Sequence, residues 1–208
     1  MRLAKNLMFY WLVYCLITIA TQHIFDFNKL IYDSLVVKMT VRQVEEIFAF
    51  QKKWQWLNYV ILPLLLLIKT TIITSILYIA IFFSKAEVTF KAIFNKVILA
   101  EFIFLLVPIF KLFWFCFFQT KYKLEDIQNF FPLSAINITG YEGLEPWYIY
   151  PLQTLNLFEV AYVFFLGYQI AKLTKSTPDE GLRMVVTSYV PALLLWVCYI
   201  MFLTLNYS

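Results

Sequence analysis

Glycine, histidine and charge are scarce in this sequence, and each shortage closes off a class of function. Four glycines in 208 residues leave no room for a glycine-rich phosphate loop. They also favour wide, aromatic-packed helix contacts over tight small-residue crossings. The single histidine, His23, has no cysteine or second histidine beside it. One imidazole does not complete a metal or haem site, so no metal and no cofactor is expected, and His23 reads as an interfacial polar residue. The three cysteines, Cys15, Cys116 and Cys198, lie inside apolar runs without Cys-x-x-Cys spacing. They read as buried small hydrophobes, and no disulfide framework is implied. No Gly-x-Ser-x-Gly elbow or His-Glu-x-x-His pair occurs, which leaves no catalytic residue to name and the expectation of a non-enzyme. Charged residues make up 14%, against ~25% in soluble domains. No basic stretch is long enough for a nucleic-acid site.

What the chain does contain is apolar surface. Hydrophobic residues make up 62%, with 22 Phe and 14 Tyr, and the mean hydropathy is +0.74. Too little polar surface remains to coat a water-soluble globule, so the excess must face lipid. Five apolar runs reach the ~17–25 residues that span a bilayer: 7–27, 57–83, 97–118, 151–171 and 185–205. They are continuous rather than alternating, which argues against a β-barrel. Arg2 and Lys5 precede the first run as in a signal peptide. That run is longer than a typical signal core, however, and Thr18-Ile19-Ala20 is a poor cleavage site. An uncleaved first span is expected. Pro63, Pro108 and Pro191 fall within spans, where kinks packed against neighbours are tolerated. The expectation is an all-α integral membrane protein of one domain, with five transmembrane helices.

Basic residues set the orientation. With the N-terminus inside, segments 1–6, 84–96 and 172–184 hold eight basic residues (Lys85 among them) and three acidic ones. The longer outside connections hold seven basic and eight acidic residues. The N-terminus is therefore placed in the cytoplasm and the C-terminus outside. The abundance of Ile, Phe and Lys suits an AT-rich bacterial genome and hence a bacterial inner membrane.

Two outer connections carry structure of their own. Val41, Val44, Ile47, Phe48, Gln51 and Trp54 recur at three- and four-residue steps. Thr40 with Gln43 forms a capping box. The spacing predicts an amphipathic helix over 40–53 that runs into the second span. Its apolar face, with Trp54 and Trp56 as anchors, either lies at the interface or packs over the bundle mouth. The other connection predicts a short helix near Glu125–Phe130 and a Gly/Pro loop. An aromatic anchor of Trp147 and Tyr148 follows. Asn137-Ile138-Thr139 is a glycosylation sequon.

Four ionisable residues fall inside spans: Lys69, Glu101, Lys111 and Glu159. Such charges are costly and mark function or pairing. At ~1.5 Å per residue, Lys111 and Glu159 lie at matching depths of ~10–12 Å below the outer surface, and Lys69 lies ~18 Å down. A Lys111–Glu159 pair is therefore expected, with Lys69 reaching toward Glu159 and Glu101 facing Lys96 or cytoplasmic water. Two readings stand. The charges form a polar pathway for substrate or protons, or a self-neutralising staple that fixes helix register.

Phe90-Lys91-Ala92-Ile93-Phe94, Leu155-Asn156-Leu157-Phe158-Glu159-Val160, Gly167 and Ser188-Tyr189, within a five-span plan, resemble the Yip family of membrane proteins and its bacterial relatives over the second half of the chain. The eukaryotic members bind Rab-type GTPases through a cytoplasmic N-terminal region. Six residues precede the first span here, and the family's Asp-Leu-Tyr-Gly-Pro segment is missing, which argues against a Rab-type partner. Some bacterial relatives carry permease-like names, which implies a transport-linked role. Three functions follow in order: a non-enzymatic subunit or scaffold binding other membrane proteins in a transport or secretion assembly; an autonomous transporter using Lys69, Lys111 and Glu159; and a lipid-modifying membrane enzyme.

Overall fold

The structure, a computed structural model, describes residues 2–37, 39–84 and 86–207. Lys85 lies outside the described residues, as does the side chain of Arg2. The chain is 84% helical, with no strand among the described residues. Among the described residues ten α-helices follow in order: α1 (Arg2–Phe25), α2 (Phe27–Val36), α3 (Val41–Phe83), α4 (Phe90–Glu101), α5 (Leu106–Phe117), α6 (Leu124–Asn129), α7 (Ile136–Thr139), α8 (Pro146–Thr154), α9 (Leu157–Thr174) and α10 (Pro178–Tyr207). Five stretches are long and apolar enough to cross a membrane: Lys5–Phe25, Val41–Phe83, Phe90–Phe117, Leu157–Thr174 and Pro178–Tyr207.

The predicted amphipathic segment and second span are one helix. Thr40 caps α3, with Gln43 reaching back to its backbone N–H at 3.0 Å. At ~1.5 Å per residue the 43 residues of α3 run ~65 Å, twice the ~30 Å hydrocarbon thickness. The first turns fold back on α2, burying Val44 and setting Phe48 6.2 Å from Tyr32. Val41, Ile47 and Phe50 remain exposed. The segment thus has a protein-facing stripe as well as a free apolar one.

The third span starts earlier than its apolar run suggests, at Phe90, and tightens to 3₁₀ over Phe102–Leu105 before α5. Pro108 explains the change: it has no N–H to offer the Phe104 carbonyl, and its ring crowds that position. The fourth span differs most. Sequence places it over 151–171, but the helix breaks at Leu155–Asn156. The Asn156 side chain caps α9 by accepting the Glu159 N–H at 2.8 Å, and its amide donates back to Gln153 O and Thr154 O. Such local bonding competes with helix continuation. The freed backbone pairs with the segment before α7: Ala135 N donates to Leu155 O at 2.9 Å, and Leu157 N to Leu133 O at 3.0 Å. Both halves still pack along α10, with Trp196 Nε1 donating to Tyr150 OH at 2.9 Å.

The main core joins the second half of α3 to α4, α9 and α10 around Leu77, Ile93, Val97, Tyr162, Leu166 and Val185. The α9–α10 contact corrects the expectation of wide, aromatic helix spacing. A Cβ on Gly167 would come 2.8 Å from Leu182 Cα, and one on Gly181 2.5 Å from Gly167 O and 2.6 Å from Ala171 Cβ. Two of the four glycines are spent where two backbones approach within a methyl group of each other. By contrast α1 is peripheral, held by Tyr10 against Leu66 and Leu105, and by Phe25 against Phe115 and Ile127. Cys116 and Cys198 are exposed rather than buried, because α5 and α10 each turn one apolar face outward.

Candidate functional site

The middle of the bundle holds a polar centre built from four helices. Lys69 lies on α3 and Glu101 at the last turn of α4, and Lys69 Nζ bonds Glu101 Oε2 at 2.7 Å. The Glu101 side chain is 1% exposed and that of Lys69 45%. Tyr162 of α9, fully buried, donates to the other carboxylate oxygen, Oε1, at 3.1 Å. The Lys69 ammonium also sits 4.2 Å from the centroid of the Phe104 ring, a favourable cation–π distance. A second unit stands beside the first. Tyr189 of α10 donates to Glu159 Oε1 at 2.6 Å, and its ring lies 5.4 Å from that of Tyr162. The nearby hydroxyls of Thr70 and Thr74 are taken by carbonyls of their own helix, Leu66 O and Thr70 O.

This arrangement corrects the pairings expected from sequence. Among the described residues Lys111 makes no ion pair with Glu159; the two ion pairs are Arg42–Glu46 and Lys69–Glu101. Glu101 faces Lys69 rather than Lys96, whose ammonium donates to Gln169 Oε1 at 2.8 Å. The depth of Glu159 counts from the start of a run that its helix does not use. Glu159 sits in the first turn of α9, not two turns into a continuous helix. Counted from the short connection that α3 and α4 share, Lys69 lies 14 residues before Phe83 and Glu101 11 residues after Phe90. These are ~21 and ~17 Å of helix, close enough for a lysine stem to bridge. Sequence reasoning missed Tyr162 and Tyr189, because an aromatic in an apolar run carries no sign that its hydroxyl is used.

Lys111 stands apart. It lines a half-open cavity of about 1010 Å³ between α1, α2, the first half of α3 and α5. That cavity does not reach Lys69, Glu101 or Glu159. The four charges therefore do not line one path.

The remaining sequence candidates lie at the surface. Trp54 and Trp56 are exposed on α3. Trp147 and Tyr148 stack at 3.6 Å at the start of α8. His23 is exposed near the end of α1. The connection after α5 is tied by Tyr141, whose hydroxyl donates to Asp126 Oδ1 at 2.6 Å. That bond, with lesser help from burial and neighbouring carboxylates, pushes the Tyr141 hydroxyl up to about 12. Asn137 of the sequon is exposed, but its amide donates to Phe131 O at 2.6 Å.

No group of three or more His, Cys, Asp or Glu placed to hold a metal ion occurs among the described residues. The polar centre holds one ammonium, two carboxylates and two tyrosine hydroxyls in a fixed hydrogen-bonded arrangement. No protein-family model, no curated protein and no solved structure matches the chain, so the polar centre and the cavity are the ground on which a function is argued.

Proposed function

We propose that this chain is a non-enzymatic five-span protein of the bacterial inner membrane that serves as a subunit of a larger membrane assembly, with its N-terminus in the cytoplasm. The observation that carries the reading is the half-covered side chain of Lys69. A charge at the middle of a span is costly against lipid, yet Lys69 is 45% exposed. The apolar residues around it, Leu65, Ile68 and Ile72, are open as well. A helix from another membrane protein laid on this face of α3 would complete its desolvation and shield the ammonium. The polar centre then acts as a staple: Glu101 neutralises Lys69 and Tyr162 fixes the carboxylate, so α3, α4 and α9 keep one register under the partner.

Mild-detergent purification of the tagged protein from native membranes, with photo-crosslinkers at Ile68 and Ile72, tests the reading. A stoichiometric partner crosslinked at these positions supports it. A lone monomer with no crosslink, and with transport activity of its own, sinks it.

A second reading, an autonomous transporter, is favoured by the break at Leu155–Asn156. Transporters commonly place discontinuous helices and irregular backbone beside their substrate sites, and Glu159 stands one turn from the break. Loss of flux in Glu159→Gln with normal insertion would favour it; flux equal to the wild type's would reject it.

A further inference from the structure

The cavity that holds Lys111 has a definite chemical character. Of its described lining residues two are lysines, Lys111 and Lys52, and none is acidic. Gln22, Gln51, Gln55 and Asn58 add amide donors and acceptors from α1 and α3. The rest of the wall adds Thr18, Thr21 and Asn28 to an apolar side that includes Ile17, Phe27, Phe48, Phe104 and Phe131. Lys111 is partly buried and makes no hydrogen bond or ion pair with any described residue. An ammonium within a span is stabilised by an anion or by water, and two ammoniums with no carboxylate leave the charge of this cavity uncompensated among its lining residues. The volume, about 1010 Å³, is at the upper end of small-molecule sites and far beyond the ~30 Å³ of one water. A bare inorganic anion would leave most of it unfilled.

We propose that this cavity binds an amphiphile with an anionic carboxylate or phosphate head, the head on Lys111 and Lys52 and an acyl chain along the aromatic wall. The amides on α1 and α3 are placed to bond the oxygens that join head to chain. Charge complementarity selects the head, and the apolar wall selects a chain over a free anion. The proposal rests on insertion in a bilayer and holds with or without a partner subunit. The head chemistry is shared by membrane phospholipids and by free fatty acids, and the experiment separates them.

The full-length protein is reconstituted in nanodiscs of equimolar phosphatidylcholine and phosphatidylglycerol, and the lipids retained on gentle release are counted by native mass spectrometry. The wild type is expected to retain phosphatidylglycerol over phosphatidylcholine by about tenfold, the factor equivalent to ~1.4 kcal/mol. Added oleate that displaces it identifies a fatty acid as the better occupant; oleate without effect identifies the phospholipid. Lys111→Gln should abolish the preference and Lys111→Arg should keep it, both with wild-type helicity and elution. Equal retention of the two lipids by the wild type, with no oleate bound, overturns the proposal and needs no variant to fold. Displacement by inorganic phosphate as effective as by oleate also overturns it, because the chain would then contribute nothing.

Discussion

Replacing Lys69 by methionine should destabilise the bundle far more than replacing Glu101 by glutamine, although the two residues share one bond. The asymmetry follows from burial. Lys69→Met leaves the Glu101 carboxylate 1% exposed, with only the Tyr162 hydroxyl to stabilise its charge. Removing one partner of a fully buried pair costs ~3–5 kcal/mol. The exposed part of Lys69 faces the apolar side of α3 rather than water, so ~3 kcal/mol or more is expected, within the range seen for buried pairs. Glu101→Gln keeps an oxygen to accept from Tyr162 and from Lys69, and the ammonium keeps its place 4.2 Å from the Phe104 ring centroid. Its cost should be nearer ~1 kcal/mol, the worth of one ordinary hydrogen bond. The double variant Lys69→Met, Glu101→Gln removes both charges and should recover most of the single Lys69→Met loss, because no unpaired charge is then left buried.

The assay is reversible unfolding in mixed micelles, followed by far-ultraviolet circular dichroism, with the coupling energy taken from the double-mutant cycle. Two results would refute the reasoning. Equal losses in the two single variants would mean that the burial difference does not set the energy. A double variant whose loss is the plain sum of the singles would mean that the two side chains are not coupled, and the staple would be no staple.

The other expectations concern packing and the loop. Gly181→Leu pushes a branched side chain into Gly167 O and the Ala171 Cβ, which a single methyl already meets at 2.5 and 2.6 Å; a loss of ~1–3 kcal/mol is expected for such overpacking, read in the same unfolding assay. A cysteine crosslink between α9 and α10 should also slow, since the helices must part. Tyr141 should ionise near pH 12 in the folded protein, seen as the phenolate absorbance missing from a Tyr141→Phe control. Its folded value is raised, so the stability it contributes is complete below the ordinary tyrosine value of ~10 and fades as pH climbs from there through about 12. Asp126→Asn removes the first cause of the shift and should bring the titration back toward ~10.

Sequence and structure agree where the signal is long and periodic, and part where two elements must be set against each other. The Thr40–Gln43 cap, the helix that follows it and the short helix over Leu124–Asn129 were legible because each is local: one hydroxyl, one amide and a three- to four-residue rhythm suffice. The apolar runs were legible for the same reason, since length and hydropathy are sums. The break at Leu155–Asn156 was not. Asn156 sits amid apolar residues, and an asparagine stops a helix only when its side chain finds backbone partners, here Glu159 N, Gln153 O and Thr154 O. The glycine contact was hidden because Gly167 and Gly181 are separated by a turn, and only the antiparallel pairing of α9 with α10 brings them face to face.

The missed Lys69–Glu101 pair shows what depth arithmetic requires. Depth counted from an apolar run's edge carries the error of that edge, and the third run begins seven residues after its helix does, at Val97 against Phe90. Depth counted from a shared tight turn carries no such error, because both helices leave the same point. On that ruler Lys69 and Glu101 fall within about one turn of each other, while Lys111 lies beyond the 3₁₀ segment near the other end of its span. The ruler assigns Lys69 to the buried carboxylate it can reach and leaves Lys111 without a partner among the described residues. The same geometry that closes the staple therefore opens the cavity to an anion from outside the chain.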